Sequence, residues 1–502
     1  VEAVLEYVQG MSVVKSFNLT GRGDRTLQEA LEYNCRSNLN IEKMFTPYIM
    51  AQGIALQLGS VAMMLLAVWF YLSGTMILAN ALMVVIMSFL VFAQISSAGS
   101  GMSLLRIVSS CMAHADETDA MPQLAETGRA GTPREHSITF DHVSFSYDQR
   151  PILRDVSFAI PDRTTTAIVG PSGSGKTTVL QLLERFFVPD EGCILLGEKE
   201  IGDFRLRDWR SRFRMVSQNS PLLSGSLLSN LVYGSRQSPS EGQIEAAARQ
   251  ACSYGFICQL PKKFQSETGE MGNRFSAGER QRLALTRALA QDPEVLLLDE
   301  PFSAMDTYLR EGLRLELSQV LSDYDGLSIL VTHDRDEAYQ LCSSLLLMDQ
   351  GHVLGMGKIG DIFQNPETVQ AARLTGCKNI SNIERIGDRK IRALDWGGLE
   401  LTTEQPVSAS VQAVGIRAHD FIPLSEAEAA SWQGSPEANL IPTGNVRISE
   451  MPFEWYVTLE NGLWWKREKN IRSHIAAGVV PPWLRIEPSA LLLLSEDSRE
   501  AG

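Results

Sequence analysis

The chain has 502 residues, a formal net charge of −14 and seven cysteines. At this length two to four domains are expected, and the acidic balance argues against a general nucleic-acid binder. The cysteines are odd in number and form no C-x-x-C pair, which argues against a disulfide framework or a zinc site and fits a reduced, cytosol-facing protein.

The chain opens on Val1, so an unusual start codon or a longer parent chain is expected; the acids of "VEAVLEYVQGMSVVKSF" argue against a secretory signal. Val4, Leu5, Val8, Met11 and Val14 fall near helical spacing, and residues 1–45 read as a long amphipathic helix. No Asp, Glu, Lys or Arg occurs between Lys43 and Arg106. A bilayer span takes about 20 apolar residues, so two spans are expected, near 48–71 and 76–94, with "LSGT" (Leu72–Thr75) as the turn. A buried soluble hairpin is the alternative, and the uncharged run is long for one. Ala51, Ala55 and Gly59 recur every four residues and would let another helix approach closely. Two spans cannot enclose a path across a membrane, so further helices or a separate permease are expected as partners, with lipid around them. A helix is expected to run on through "LLRIVSSCMAHADE". Residues 1–115 thus read as a partial transmembrane domain, and 116–136, polar with Pro and Gly, as a linker.

From 137 to 377 strands alternate with helices: "SITFDHVSFSY", "TTTAIVG", "TTVLQLLERFF", "EVLLLDE", "GLSILVTHD", "SSLLLMDQG". That alternation predicts a largely parallel sheet covered by helices. The arginines of "FRLRDWRSRFR" read as a solvated helix face. Over 378–502 the pattern changes to short period-2 strands such as "AVGIRAHDF", "EWYVTLENGLWW" and "PWLRIEP", which predict a small, separate β-barrel-like domain.

"GPSGSGKTT" (Gly170, Pro171, Ser172, Gly173, Ser174, Gly175, Lys176, Thr177, Thr178) lies between an apolar strand and a helix and fits the phosphate-loop pattern in full. Its glycines let the backbone fold around phosphates, and the helix N-terminus adds a favourable partial charge. Lys176 would neutralise the β- and γ-phosphates of ATP, and the Thr177 hydroxyl would ligate Mg²⁺. "LLLDE" ends a greasy strand on two acids, and burying unpaired charge costs several kcal/mol. A Mg²⁺ ion would meet Asp299 at the strand's C-terminal end, and Glu300 would orient a water behind the γ-phosphate.

These residues, with "FSAGERQRLALTRAL" between the phosphate loop and "LLLDE", resemble the ATPase domain of ABC transporters. In that family the segment caps the γ-phosphate held by a partner subunit, so ATP joins two ATPase domains head to tail; Ser276, Ala277, Gly278 and Glu279 would do so here. The sequence departs from the family at Phe275, where leucine is usual, and at Ala277, where glycine is usual. A methyl group aimed at phosphate would slow turnover more than it weakens ATP binding. By the same resemblance Tyr147 stacks on adenine, Gln218 touches Mg²⁺, and Asp306 in "SAMD" belongs to the loop crossing the dimer interface. His333 would be the switch histidine, beside the γ-phosphate and Glu300. The implied fold is an α/β phosphate-loop NTPase (ABC ATPase), preceded by a transmembrane helical hairpin and followed by the β-barrel-like domain.

Residues 1–287 resemble an exporter-type half-transporter: "GMSVVKSFN" is similar to the helix leading into its fifth membrane helix, and "TGEMGNRFSAGE" to its cross-linking loop and signature. From about 290, "DEPFSAMD", "VTHDRDEA" and "IFQNPETVQAARLTGCKN" resemble importer ATPase subunits of the molybdate type, and "VGIRAHDF" their regulatory domain. The resemblance implies an ATP-hydrolysing subunit in the cytoplasmic membrane, its ATPase in the cytoplasm, paired with a second ABC subunit as homo- or heterodimer. The rival readings are an oxyanion importer ATPase carrying a passenger hairpin, a non-transport ABC protein acting on ribosomes or DNA, and an inactive ATP-binding fragment. A single phosphate loop and the uncharged zone argue against the ribosomal or DNA reading.

Overall fold

A computed structural model describes residues 10–16, 25–120, 128, 137–235, 238–303, 305–435, 437–469 and 480–495. Val4, Leu5, Val8, most of the expected linker and Ala304 lie outside the described residues. The chain divides into two compact units, Val1–Leu124 and Ala125–Gly502.

The first unit contains a short helix, Met11–Ser16, and two long ones, Arg25–Leu72 and Leu78–Asp119. Both long helices are apolar enough to cross a membrane by length and composition. They pack on one another, and apart from Leu27 the residues buried along them are small: Ser60, Ala67, Ala81 and Ser88. Small side chains let helix backbones come close where lipid offers no hydrophobic drive. Gly59 belongs to this seam, since a Cβ there would lie 3.0 Å from the Phe92 ring. Ala51 and Ala55, which with Gly59 would let another helix approach, are exposed. At that turn Ser73 and Thr75 hydroxyls donate to the Phe70 carbonyl at 3.0 and 2.9 Å, satisfying an acceptor the helix end leaves free. Large apolar side chains such as Leu65, Trp69 and Phe89 face outward, 60–65% exposed.

The second unit is built on a six-stranded sheet. In spatial order it runs Phe213–Val216, Val295–Asp299, Leu327–Thr332, Thr165–Val169, Ser344–Asp349, all parallel, with His352–Lys358 antiparallel at the far edge. Val295–Asp299 and Leu327–Thr332 are buried along their whole length. This explains why they read as continuous apolar runs, since both faces of a parallel sheet are covered. Successive side chains point to opposite faces. Val295 and Leu297 join one core with Ile168, Val179 and Phe140, while Leu296 and Leu298 join another with Leu285, Leu313 and Leu317. A four-stranded antiparallel sheet, in which Ile138–Tyr147 pairs with Arg150–Ile160 and Glu191–Leu196, covers the first core.

The arginine-rich run is not one solvated helix. It is a short helix, Leu206–Arg210, followed by the sheet strand Phe213–Val216, and Trp209 and Phe213 are buried. Apolar residues interleaved with the arginines cause this. Arg205 and Arg207 are exposed, whereas Arg210 donates to the Glu184 carbonyl at 3.0 Å and Arg212 pairs with Glu294 at 2.6 Å.

The C-terminal strands form one five-stranded and two three-stranded antiparallel sheets. They share a core that includes Trp396, Ile416, Phe421, Ile441, Trp465 and Leu484. The helix Val369–Leu374 packs on strands Val411–Ile416 and Leu492–Ser495. Ala372, Cys377, Ala413 and Leu494 make a small apolar cluster there, so the region around residue 377 is packed rather than open.

Candidate functional site

Strand Thr165–Val169 delivers the chain into the loop Gly170–Gly175, and helix Lys176–Leu183 leaves it. Gly175 has φ +99°, a conformation L side chains rarely adopt. A Cβ on Gly170 would lie 2.2 Å from the Met348 carbonyl, so only glycine lets the loop pass this close to the neighbouring strand. Pro171, Ser172 and Gly173 are exposed at the loop tip, while Ser174 and Thr178 are buried. Among the described residues the Ser174 hydroxyl has no hydrogen-bond partner. A buried polar atom of this kind is costly to leave unmatched.

Lys176 is 6% exposed, and its ammonium donates to the Gly170 and Pro171 carbonyls at 2.9 and 2.8 Å. Burial holds it below its ordinary pKa, opposed by the nearby Glu300 and Asp299 charges. Thr177 donates to the Asp299 carboxylate at 3.2 and 3.4 Å. Asp299 is 4% exposed, and burial pushes its carboxyl above the usual range, opposed by the Thr177 hydrogen bond. A buried carboxylate facing a hydroxyl favours a nearby cation, and a buried ammonium at a helix N-terminus favours a polyanion. The donor set of Thr177, Asp299 and Gln218 oxygens suits a hard divalent ion such as Mg²⁺, which takes few protein ligands and completes its shell with phosphate and water.

Glu300 has φ +48°, unusual for a residue other than glycine. Several bonds hold this turn. Its N–H donates to the Val331 carbonyl at 2.9 Å, and its carbonyl accepts from Gln281 at 2.9 Å and Ser303 at 3.0 Å. One carboxylate oxygen accepts from the Gln218 amide at 3.2 Å, and the other lies 3.3 Å from His333 Nδ1. His333 follows strand Leu327–Thr332 and is exposed. Behind it Asp334 caps helix Arg335–Leu341, accepting from the Asp336 and Glu337 amides at 2.8 and 3.4 Å, and Thr332 donates to Glu337 at 2.7 Å.

Lys176, Thr177, Gln218, Asp299, Glu300 and His333 therefore meet at the C-terminal ends of the parallel strands. Tyr147 sits beside them through its hydroxyl, which donates to Gln181 of the phosphate-loop helix, and its ring packs edge-on to Phe145 and Phe187. Ser276 and Glu279 form a reciprocal cap on helix Ala277–Leu289: the Glu279 carboxylate accepts from the Ser276 N–H and hydroxyl, both at 2.8 Å. Ala277 is exposed and Gly278 half-buried at that helix start, while Phe275 is buried in a separate cluster with Leu222, Leu227 and Ile257. Asp306 caps helix Thr307–Ser322 at 3.0 Å. Side-chain bonds recorded for Ser276, Glu279 and Asp306 stay within their own helix ends. Gln281, buried and bonded to the Glu300 backbone, was not expected as a site residue. The signal was there: a glutamine on the apolar side of a helix otherwise rich in charge needs a polar partner.

Residues 153–303 match the family described as ABC transporter. The chain is 38% identical over 221 residues to the mitochondrial iron-sulfur clusters transporter atm1 of Aspergillus fumigatus, covering 44% of this chain and 30% of that protein. It is 32% identical over 358 residues to the ATP-dependent lipid A-core flippase of Pseudomonas syringae pv. tomato, covering 70% of this chain and 58% of the flippase. Among solved structures, a bacterial Atm1-family ABC exporter with ATP bound superposes with a TM-score of 0.65 at 27% identity, covering 74% of this chain and 64% of that one. The chain spans less than two thirds of the length of each of these proteins.

Proposed function

We propose that this chain, which carries an ABC transporter ATPase domain and has exporter-type half-transporters as homologues, couples ATP hydrolysis to the movement of a substrate across a membrane. The observation that carries the reading is the convergence of Lys176, Thr177, Gln218, Asp299, Glu300 and His333 at one sheet edge.

On this reading ATP lies along the loop Gly170–Thr178 with adenine against Tyr147, and Lys176 neutralises the terminal phosphates. Thr177, Gln218 and Asp299 hold Mg²⁺, which supplies charge neutralisation at the transferring phosphoryl group. Glu300 positions the attacking water and accepts its proton. His333, 3.3 Å away, fixes the Glu300 carboxylate and reaches toward the γ-phosphate side. Ser276, Ala277, Gly278 and Glu279 act on the ATP of a second ABC subunit, and Asp306 lies in the interface loop. Two domains close on ATP and reopen after hydrolysis, a population shift set by contacts that exist only in the closed state. The apolar stretches near 48–71 and 76–94, within helices Arg25–Leu72 and Leu78–Asp119, span the cytoplasmic membrane and complete a path with further helices.

The residues from 378 form a regulatory β-barrel-like domain. The likeness of "VTHDRDEA" and "VGIRAHDF" to importer ATPases supports a second reading, an importer subunit of the oxyanion type. Purified full-length chain in detergent tests the core of both: it should bind ATP with Mg²⁺ and hydrolyse it. Failure to retain nucleotide under those conditions removes both readings.

A further inference from the structure

Where the ATPase part meets the C-terminal strands, a cavity of about 760 Å³ opens, lined from both sides. This is the size range of small-molecule sites and far more than a bare oxyanion needs. Its charged lining is Arg335, Lys378, Arg417 and Lys466 against Asp336 and Asp420, a positive excess on a chain of net charge −14. Arg417 is the centre of it. Its guanidinium donates to the Thr375 carbonyl at 2.8 Å and to the Phe363 carbonyl, and no carboxylate lies at ion-pair distance from it among the described residues. Burial lowers its pKa from the ordinary value, opposed by nearby Cys377 and Asp420, with Arg335 adding a smaller lowering. Next to it Tyr456 and Trp464 stack at 4.7 Å with 13° between the rings, and the Lys378 ammonium lies 4.1 Å over the Trp464 ring. Lys466 is already paired with Glu454 at 2.7 Å, and Arg335 lies 3.8 Å from the Asp336 carboxylate, so Arg417 and Lys378 carry most of the surplus.

We propose that this junction cavity binds a small organic phosphate, its phosphoryl group against Arg417, Arg335 and Lys378 and its planar organic part against the Tyr456–Trp464 stack, and that occupancy alters ATP hydrolysis through Arg335. Cations arranged over an aromatic floor suit a ligand with one dianionic end and one flat apolar end. Arg335 is the first residue of the helix capped by Asp334, two positions beyond His333, and its guanidinium lies over Gly376, where any Cβ would collide with it. A ligand that draws Arg335 moves the start of the helix that anchors the switch loop. This coupling rests on the function proposed above; the binding does not.

The test is calorimetric titration of the full chain in detergent, its nucleotide site saturated with Mg²⁺ and ADP, with phenyl phosphate and, in parallel, inorganic phosphate. Phenyl phosphate should bind saturably and more tightly than inorganic phosphate. Lys378→Glu and Trp464→Leu, both changes at solvent-reachable positions, should each weaken it by about tenfold, the effect of one lost charge-assisted or stacking contact. ATPase rate should change on saturation with phenyl phosphate in the parent protein but not in Lys378→Glu. Absence of saturable binding, or binding indifferent to both substitutions, overturns the site. Equal affinity for inorganic phosphate overturns the organic assignment, and an unchanged rate at saturation overturns the coupling. A preparation without ATPase activity that still binds phenyl phosphate contradicts the proposed function and leaves the site standing.

Discussion

His333 Nδ1 stands 3.3 Å from Glu300 Oε1. The two residues immediately follow neighbouring parallel strands, Val295–Asp299 and Leu327–Thr332, whose register sets Asp299 opposite Val331. The contact is therefore fixed by the sheet. On the hydrolytic reading, Glu300→Gln should lower turnover by about 10²–10⁴-fold, the range of a lost general base, while ATP binding persists. His333→Ala should give a loss of similar kind, and the double variant should lose little more than either alone. Phosphate release under saturating ATP measures all three. Near-normal turnover in Glu300→Gln would remove it from the role.

Lys176→Ala should leave the nucleotide-free protein as stable as the parent or slightly more so, since a buried ammonium opposes folding. The upward shift in melting temperature produced by ATP with Mg²⁺ should disappear. Thermal melts with and without nucleotide read both effects. A large drop without nucleotide would mean that Lys176 holds the loop itself.

Glu184 follows the phosphate-loop helix, with one carboxylate oxygen buried and, among the described residues, unpartnered. Burial pushes its pKa up to about 7 from 4.5, opposed by Arg210. The folded state therefore keeps a proton that the unfolded state releases above pH 4.5. This group's contribution is most favourable below 4.5, falls as pH rises to about 7, and is flat beyond. The full effect is on the order of 3 kcal/mol. Glu184→Gln should lose this slope, so the variant gains stability over the parent as pH rises from 5 to 7.5. Denaturant melts across that range test it, and parallel curves for the two proteins would refute the assignment.

Ala277→Gly should raise turnover if the Ala277 methyl crowds a partner's phosphate, as the signature resemblance implies. The cost to the helix is at most about 1 kcal/mol, because the Ser276–Glu279 cap remains. Turnover and denaturation midpoint, measured together, separate the two effects. Unchanged turnover would mean the methyl never meets phosphate.

Much of this site could be read from the sequence because its signals are local. A phosphate loop needs its glycines at fixed spacing, and a strand buried on both faces is an unbroken apolar run, so Gly170–Thr178 and Leu296–Glu300 declare themselves. The hairpin is read as easily, from the want of charge between Lys43 and Arg106. What escaped was set by distant partners. Arg150–Ile160 alternates buried and exposed residues only as the antiparallel mate of Ile138–Tyr147. Gln281 acquires meaning only beside the Glu300 carbonyl. The arginine run misled because Trp209 and Phe213 seek a core that its charges do not announce.

The change of resemblance near residue 287 does not coincide with a joint in the sheet. Upstream of it the chain supplies Thr165–Val169 and Phe213–Val216, which do not touch in the central sheet; Val295–Asp299 and Leu327–Thr332, from downstream, fill the space between them. Severing the polypeptide there would strand the upstream pair with open hydrogen-bonding edges and deprive the downstream strands of their flanks. The severed pieces should be insoluble apart and regain nucleotide affinity only when refolded as a mixture, the behaviour of a single cooperative body rather than two modules in tandem.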